Sequence, residues 1–343
     1  MNQAAQPVCS ICIANYNGVA VLIDCIESVL AQQGEIPIEI IIHDDASTDA
    51  SIEFIKTHYP TAYYPQIRLI ESTDNVGFCI SNNRMVAAAR GEYILLLNND
   101  AALAPDALDT LLAAAENQDA QGILTLPQCD WETGALVDCG CLIDPFYNPV
   151  PNLDPNRSDV AMVIGACLWM PRTLWNELGG FPEWFESIAE DLQLCCQARL
   201  WGHSVQVASA SYYRHRQGAS FGGNRVNGNR LVTTYRRRRL SERNKTYVMI
   251  LCSPPLRLAF TLPSHLVLMA LEGAVISLIK RDARPWKEIY VPMFASLLQR
   301  FGQLRRERKA IQAKKHTVSY GKTFTWLPHK LTLLLRHGIP KMS

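Results

Sequence analysis

The chain has 343 residues, 48% hydrophobic and 19% charged, with a formal net charge of +1. This size and composition exclude a disordered, a collagen-like or a small disulfide-stapled chain and leave room for two domains. The small net charge combines two unlike parts. Residues 1–211 hold 7 basic and 27 acidic residues, a net of −20, whereas residues 212–343 hold 26 basic and 5 acidic, a net of +21. An acidic body and a basic tail imply different tasks.

In chain order, 8–14 (VCSICIA) reads as a short apolar strand ending at Asn-Tyr-Asn-Gly. From Val19 to Gln32, Leu22, Ile26, Val29 and Leu30 recur at helical spacing. Residues 38–42 (IEIII) read as a buried strand closed by HDDASTD. A helix over 51–58, a strand over 67–71, a helix over 82–89 and a strand over 93–97 follow, then a helix over 105–116 with Pro105 in its first turn. This alternation predicts an α/β fold with a mainly parallel, Rossmann-like central sheet flanked by helices. In such sheets ligands lie beyond the carboxyl ends of the strands, where NYNG, HDDASTD and NNDA all fall. Residues 121–159 loosen into short strands and turns. Residues 160–170 form an apolar stretch broken by Gly165, 172–178 a short helix and 190–201 another helix.

The tail reads as a helical, basic extension. Apolar residues 246–279 lie between Arg236–Arg239 and the clusters RRERK (305–309) and AKK (313–315). A solvated helix face, nucleic-acid binding, and attraction to anionic head groups or a lipid-diphosphate acceptor are the three readings of this charge. Nucleic acid is disfavoured, because no recognition-helix or aromatic-interleaved pattern accompanies it. Residues 258–279 approach membrane-span length but contain Pro263, His265 and Glu272, so spanning, lying on a membrane and packing in a core all stay open. The 11 cysteines are odd in number and contain no C-x-x-C pair, which favours reduced, core-filling thiols in a cytoplasmic protein over a disulfide framework or zinc knuckle. MNQAAQPVCS lacks the basic-then-apolar order of a signal peptide.

Four polar features carry chemistry. Asp44, Asp45 and Asp49 follow a buried strand; they either form a capped turn, with Asp49 as the cap, or accept hydrogen bonds from a base or ribose. Asn98-Asn99-Asp100 either caps a helix or offers a carboxylate to a hard divalent cation that neutralises a diphosphate. Glu190-Asp191 opens a helix, where the dipole favours acids, yet Gly179-Gly180-Phe181-Pro182, Trp184 and Phe185 precede it. That bulky loop suits covering an acceptor while an Asp deprotonates it. His215 sits among Arg214, Arg216 and Ser220, a phosphate-friendly setting.

Together, CIANYNG (12–18), HDDASTDAS (43–51), NVGFCISNN (75–83), ARGEYILLLNNDA (89–101), GACLWMPRTLWNELGGF (165–181), EDLQLCCQARLWG (190–202) and HRQGAS (215–220) make the sequence resemble bacterial glycosyltransferase family 2, of the GT-A fold, especially its rhamnosyltransferase-like branch, over roughly residues 7–245. The resemblance implies a nucleotide-sugar glycosyltransferase domain over 1–245 and a possibly membrane-associated extension over 246–343. Ala14, Asn15 and Tyr16 would lie along the nucleotide, Asp44 would accept from base or ribose with Asp45 and Ser47 nearby, and Asn75, Gly77, Phe78 and Asn83 would shape the pocket towards the sugar. Asn98-Asn99-Asp100 stands where the family has Asp-x-Asp. Asp100 would bind Mg2+ or Mn2+, with His215 as a second ligand. Asp191 would be the catalytic base, with Glu190 alongside, in a single inverting displacement. The implied donor is a UDP- or dTDP-linked hexose or deoxyhexose. The implied acceptor is a glycan, lipid-linked, met on the inner face of the cell membrane during polysaccharide or cell-envelope assembly. Gln193 and Gln197 replace a common Asp and Arg, and Pro182 a common Asp; these departures bear on the acceptor and keep a catalytically weak nucleotide-sugar-binding relative as the alternative. A dinucleotide-dependent oxidoreductase would need G-x-G-x-x-G after the first strand, and Asn15-Tyr16-Asn17-Gly18 does not supply it.

Overall fold

The computed structural model describes residues 6–118, 120–216, 225–227, 230–316, 323–325, 329–337 and 341–342. The chain divides into two compact units. The first comprises 1–141, 151–187 and 203–216; the second comprises 142–150, 188–202 and 217–343.

The first unit begins with β1 (Cys9–Asn15), α1 (Val19–Leu30), β2 (Ile38–Asp44), α2 (Ser51–His58), β3 (Ile67–Glu71), α3 (Phe78–Ala88) and β4 (Tyr93–Asn98). Then come β5 (Ala101–Leu103), α4 (Ala107–Glu116), β6 (Gly122–Thr125), β7 (Gln128–Asp130) and β8 (Leu136–Asp138). The short strands β9 (Cys141–Ile143) and β10 (Pro149–Pro151) pair with each other where the chain leaves and re-enters this unit. β11 (Cys167–Pro171) and α5 (Arg172–Leu178) follow. After the excursion through α6 (Glu190–Leu200), β12 (Ser204–Val207) and β13 (Tyr213–His215) complete it.

The central sheet has the order β12-β6-β11-β4-β1-β2-β3, and β11 runs against both of its neighbours. It is mainly parallel, as the alternation predicts. Its inner strands are largely apolar because both faces are covered: Ile11, Ile13, Ile40, Ile42, Leu95 and Leu97 are buried. α1 is helical because Leu22, Cys25, Ile26 and Val29 form one buried stripe. Glu39 is the buried exception within β2. Burial pushes its carboxyl up, but hydrogen bonds from Ser10 Oγ (2.7 Å), Arg90 N (2.6 Å) and Arg90 Nε (3.0 Å) bring it below the ordinary value.

Between β1 and β4 the chain changes its winding direction. The carboxyl ends of β1, β2 and β4 meet there, in the register Asn15 opposite Asp44 and Ala14 opposite Asn98. A smaller sheet, β5-β13-β7-β8, sets His215 opposite Ala101 on one side and Asp130 on the other. No disulfide joins any of the 11 cysteines, and all but Cys129 are buried.

The second unit contains α6, the strands β14 (Arg225–Asn227) and β15 (Arg230–Thr233), α7 (Tyr235–Cys252) and α8 (Pro255–Lys280). A π-helical turn at Trp286–Tyr290, α9 (Val291–Gln299), α10 (Phe301–Ala313), α11 (His329–His337) and β16 (Lys341–Met342) follow. Thr234 caps α7 by accepting from Arg237 N (3.1 Å). Tyr235, Met269, Ile289, Tyr290 and Met293 form its apolar centre.

Candidate functional site

Three strand ends in the first unit are tied by one relay of short polar side chains. Asn99 Nδ2 donates to Asn15 Oδ1 (2.8 Å), and Asn15 Nδ2 donates to Asp44 Oδ2 (2.8 Å). Asp44 also accepts from Ser47 N (2.8 Å) and Ser47 Oγ (2.8 Å). The relay therefore links β4, β1 and β2 across their carboxyl ends, and Asn15, Asp44 and Asn99 are all buried. Gly18 closes over it: a Cβ there would stand 2.2 Å from both Asn15 Oδ1 and Asn99 Nδ2. Ala14 and Asn98 stand beside the relay, half-buried, and Tyr16 presents a 48% exposed ring at its rim.

The other predicted donor residues are brought near each other, but several are occupied with holding loops. Asp45 Oδ1 accepts from Val76 N (2.7 Å) and Oδ2 from Gly77 N (2.9 Å), while Asn75 Nδ2 donates to Asp45 O (3.3 Å). Asp45 thus fixes the turn in which Gly77 takes φ +89° and starts α3. That support explains why α3 begins at Phe78, four residues before the local periodicity predicts. Both ends of the Asn83 amide bind the backbone of Phe181 (2.9 and 3.0 Å), and Phe78 stacks on the Phe181 ring at 6.1 Å. Asp49 is not the N-cap of α2; Ala50 occupies that position. The Asp49 carboxylate accepts from Ser51 N (3.0 Å) and Val19 N (3.1 Å) instead, which holds it below its ordinary value against the upward push of burial.

Asp100 and His215, 115 residues apart, meet with Nε2 3.1 Å from Oδ1. The other ring nitrogen, Nδ1, lies 3.2 Å from Gln128 Oε1, which also accepts from Tyr213 OH (2.7 Å). With Nδ1 donating to that amide oxygen, Nε2 faces the Asp100 carboxylate, and either a ring proton or a bound cation between them satisfies both. A carboxylate and an imidazole oriented in this way could share a cation. Among the described residues no cluster of three His, Cys, Asp or Glu side chains forms a full cage. A two-ligand half-site suits a hard cation whose remaining ligands are substrate phosphates and water. Nearby Asp138 is pushed up to about 7, mainly by burial, so it is about half ionised at neutral pH.

Gln128 escaped the sequence reading; only a glutamine following a proline marked it. So did Asn17, whose side chain binds Thr48 N (2.7 Å) and Asp49 N (3.2 Å) and whose φ is +51°, although the Asn-Gly dipeptide was a signal. Arg216 bonds to Asp24 (2.6 Å) and stacks over Trp131 at 3.5 Å, whereas Arg214 points to solvent. Residues 217–220 of the HRQGAS motif, with Ser220, lie outside the described residues.

Within the second unit, Glu190 and Asp191 form the first turn of α6, entered through Ile188 and Ala189 at φ +70° and +67°. Asn244 of α7 donates to Ile188 O (2.8 Å) and holds this turn. Burial, reinforced by the charge of Asp191 and opposed by Arg237, pushes Glu190 up to about 8. Its Oε2 has no hydrogen-bond partner. The pair is therefore divided: Glu190 keeps its proton at neutral pH, and Asp191 is half-buried with Oδ1 accepting from Leu192 N (2.7 Å). Gln193 and Gln197, which replace residues common in the family, bond to each other instead (2.5 Å).

A doubly covered, mainly parallel sheet with polar strand ends at its switch point and an acid–imidazole pair beside them defines a nucleotide-binding α/β enzyme class. Solved structures specify it further. TarS residues 1–349 from S. aureus, in complex with UDP-GlcNAc, align with a TM-score of 0.57 at 15% identity over 89% of this chain and 87% of that one. The mannosyltransferase PcManGT from Pyrobaculum calidifontis, in complex with GDP-Man and Mn2+, aligns with a TM-score of 0.53 at 16% identity over 86% and 87%. The fold is GT-A. Residues 10–173, just under half of the chain, match the family described as Glycosyl transferase family 2.

Chondroitin synthase of Escherichia coli is 33% identical over 178 residues, 52% of this chain and 24% of that protein. The N-acetylglucosaminyl-diphospho-decaprenol L-rhamnosyltransferase of Mycobacterium tuberculosis is 25% identical over 213 residues, 53% of this chain and 68% of that protein. The chain spans 24% to 36% of the length of the first three curated relatives it matches.

Proposed function

We propose that the protein is an inverting, metal-dependent glycosyltransferase that moves a hexosyl or deoxyhexosyl group from a UDP- or dTDP-linked donor to the hydroxyl of a lipid-linked glycan, in polysaccharide or cell-envelope assembly. The observation that carries this reading is the Asp100–His215 pair, oriented by Gln128, beside the Asn99–Asn15–Asp44 relay. In it Asp44, Asn15 and Ser47 hold the nucleoside, with Tyr16 against the base. Asp100 and His215 would hold Mg2+ or Mn2+, which when bound neutralises charge on the diphosphate. Asp191 removes the acceptor proton as the hydroxyl attacks the anomeric carbon opposite the diphosphate, and one in-line displacement inverts that carbon. Glu190, protonated, leaves the negative charge on Asp191. The mycobacterial relative, named for a diphospho-decaprenol-linked sugar, supports a lipid-linked acceptor. Domain 1–245 performs the transfer, and the basic extension 246–343 holds the protein peripherally on the inner face of the cell membrane.

Two measurements test this. A screen of nucleotide sugars by thermal shift, with and without Mn2+, should show a donor-specific rise that the metal enlarges. Asp191→Asn should lower kcat about 10²–10⁴-fold while the donor shift stays; transfer at the parental rate would sink the assignment. The Gln193–Gln197 pair favours a second reading, a nucleotide-sugar-binding relative with weak catalysis. A donor shift without measurable transfer by the parent chain would mark that case.

A further inference from the structure

α8 has the length and mean hydropathy, 1.8 over its most apolar 18 residues, to cross a membrane, yet its two faces are built for different surroundings. On one face His265, Met269, Gly273 and Ile276 are buried. Gly273 admits the rings of Trp286 and Tyr290 so closely that a Cβ would stand 2.4 Å from Trp286. His265 Nε2 lies 2.9 Å from Thr246 Oγ1, and Glu272 bonds to Arg238 (2.6 Å) and Lys330 (2.8 Å). A lone spanning helix would have to strip Glu272 and His265 of these partners or take the charges of Glu272, Arg238 and Lys330 into hydrocarbon with it.

The opposite face holds Leu256, Phe260, Val267, Leu268, Leu271, Val275, Leu278 and Ile279, all exposed, with Leu256 at 76% and Leu278 at 75%. The stripe runs about 35 Å along the helix and carries no charge. Its exposed hydroxyl, on Ser264, already donates to Phe260 O (2.9 Å), and Thr261 Oγ1 donates to Arg257 O (3.0 Å), so neither needs water. Exposed cations follow the stripe in sequence: Arg281, Arg284 and Lys287, then Arg305, Arg306 and Lys309 on α10.

We propose that α8 lies in the plane of an anionic membrane, with its Leu256-to-Ile279 face seated at the head-group and acyl boundary and its other face kept on the protein. The proposal rests on the peripheral-membrane reading above and fixes its contact surface. An anionic lipid surface is the occupant because it matches both halves of the feature, apolar area for the stripe and negative charge for the exposed cations that follow it, Arg281, Arg284, Lys287, Arg305, Arg306 and Lys309. A second copy of the chain would bring the same excess of positive charge against itself.

The test is flotation of the full chain with vesicles of phosphatidylcholine alone or with about one third phosphatidylglycerol. Binding should require the anionic lipid and weaken at least about tenfold between roughly 0.1 and 0.5 M salt. Leu271→Asp and Leu278→Asp, both solvent-facing, should each weaken it about tenfold or more without changing the thermal midpoint or the nucleotide-sugar shift. Alkaline carbonate should release the chain from membranes of the producing cell. Binding that ignores charge and both substitutions, carbonate-resistant insertion, or a solution dimer that Leu278→Asp dissociates would each overturn the proposal. Sugar transfer to a soluble acceptor without vesicle binding removes the surface and leaves the transferase; vesicle binding without a donor shift does the reverse.

Discussion

At the ends of β1, β2 and β4, amides and a hydroxyl are strung around Asp44. Inside the second unit, Arg238, Glu242, Lys245, Glu272 and Lys330 make a network of full charges instead. Glu242 alone takes Lys245 (2.7 Å), Lys330 (2.7 Å) and Arg238 (3.1 Å), and Lys245 also donates to Asn148 Oδ1 (2.7 Å). Although burial would raise the Glu242 carboxyl, these cations hold it well below the usual carboxylate range. The same burial, with Lys245 close by, drops His265 to about 3, so that ring stays neutral at physiological pH. The charges are consumed by one another and have no capacity left for a ligand. The relay stays open: it ends at half-buried Ser47 and Asn98 and at the exposed ring of Tyr16. Perturbed ionisation by itself is therefore a poor guide to function in this protein, because strong perturbations also fall on this structural network and on core groups such as Cys9, Cys196 and Tyr213.

That contrast fails if the network tolerates loss of charge. Glu242→Gln leaves Arg238 and Lys330 to share Glu272 and Lys245 to rely on Asn148, and should cost about 3–5 kcal/mol of stability, read as a lower urea midpoint. Little change would mean that water reaches these groups. The relay should respond in the opposite way. Gly18→Ala drives a methyl group into Asn15 and Asn99 at a buried turn, so donor KM should rise about 10–100-fold, roughly 1.4–2.7 kcal/mol, with a smaller loss of stability than Glu242→Gln. A large stability loss with unchanged KM would make the relay structural.

The smallest expected effect distinguishes Glu190 from the network carboxylates. The folded chain holds the Glu190 proton up to about 8, whereas the unfolded chain releases it near the ordinary 4.5. Between those values the native state binds the extra proton, so this group makes stability fall as pH rises. Glu190→Gln should flatten that fall and leave the variant roughly 1–3 kcal/mol more stable than the parent above pH 8, measured by urea titration across the window. An unchanged slope would mean that Glu190 is already ionised.

Local patterns carried much of the fold. The elements at 51–58, 67–71 and 172–178 fall where the periodicity places them, because each buries its own stripe or run. Asp44, Asn98, Asn99 and Asp100 stand out in the sequence as short polar residues directly after buried strands, with a capped turn as the rival reading. The rest depended on distant partners. α3 starts early because Asp45, on another segment, supports the Val76–Gly77 turn. His215 reaches Asp100 only because β13 pairs with β5, and nothing in the local sequence marks Gln128 as the residue that orients the ring. Asn244 and Arg237 act on the α6 turn only because α7 packs beside it.

Order along the chain and hydrophobic period were enough to determine the α/β class, the polar strand ends and the division into acidic and basic parts, since these follow from interactions within one turn or one strand. Which acid is neutral, which is consumed by lysines and which faces of α8 are covered were decided by packing alone. Burial and charge pairing depend on side chains brought together from up to about a hundred residues away, and no local pattern encodes that distance.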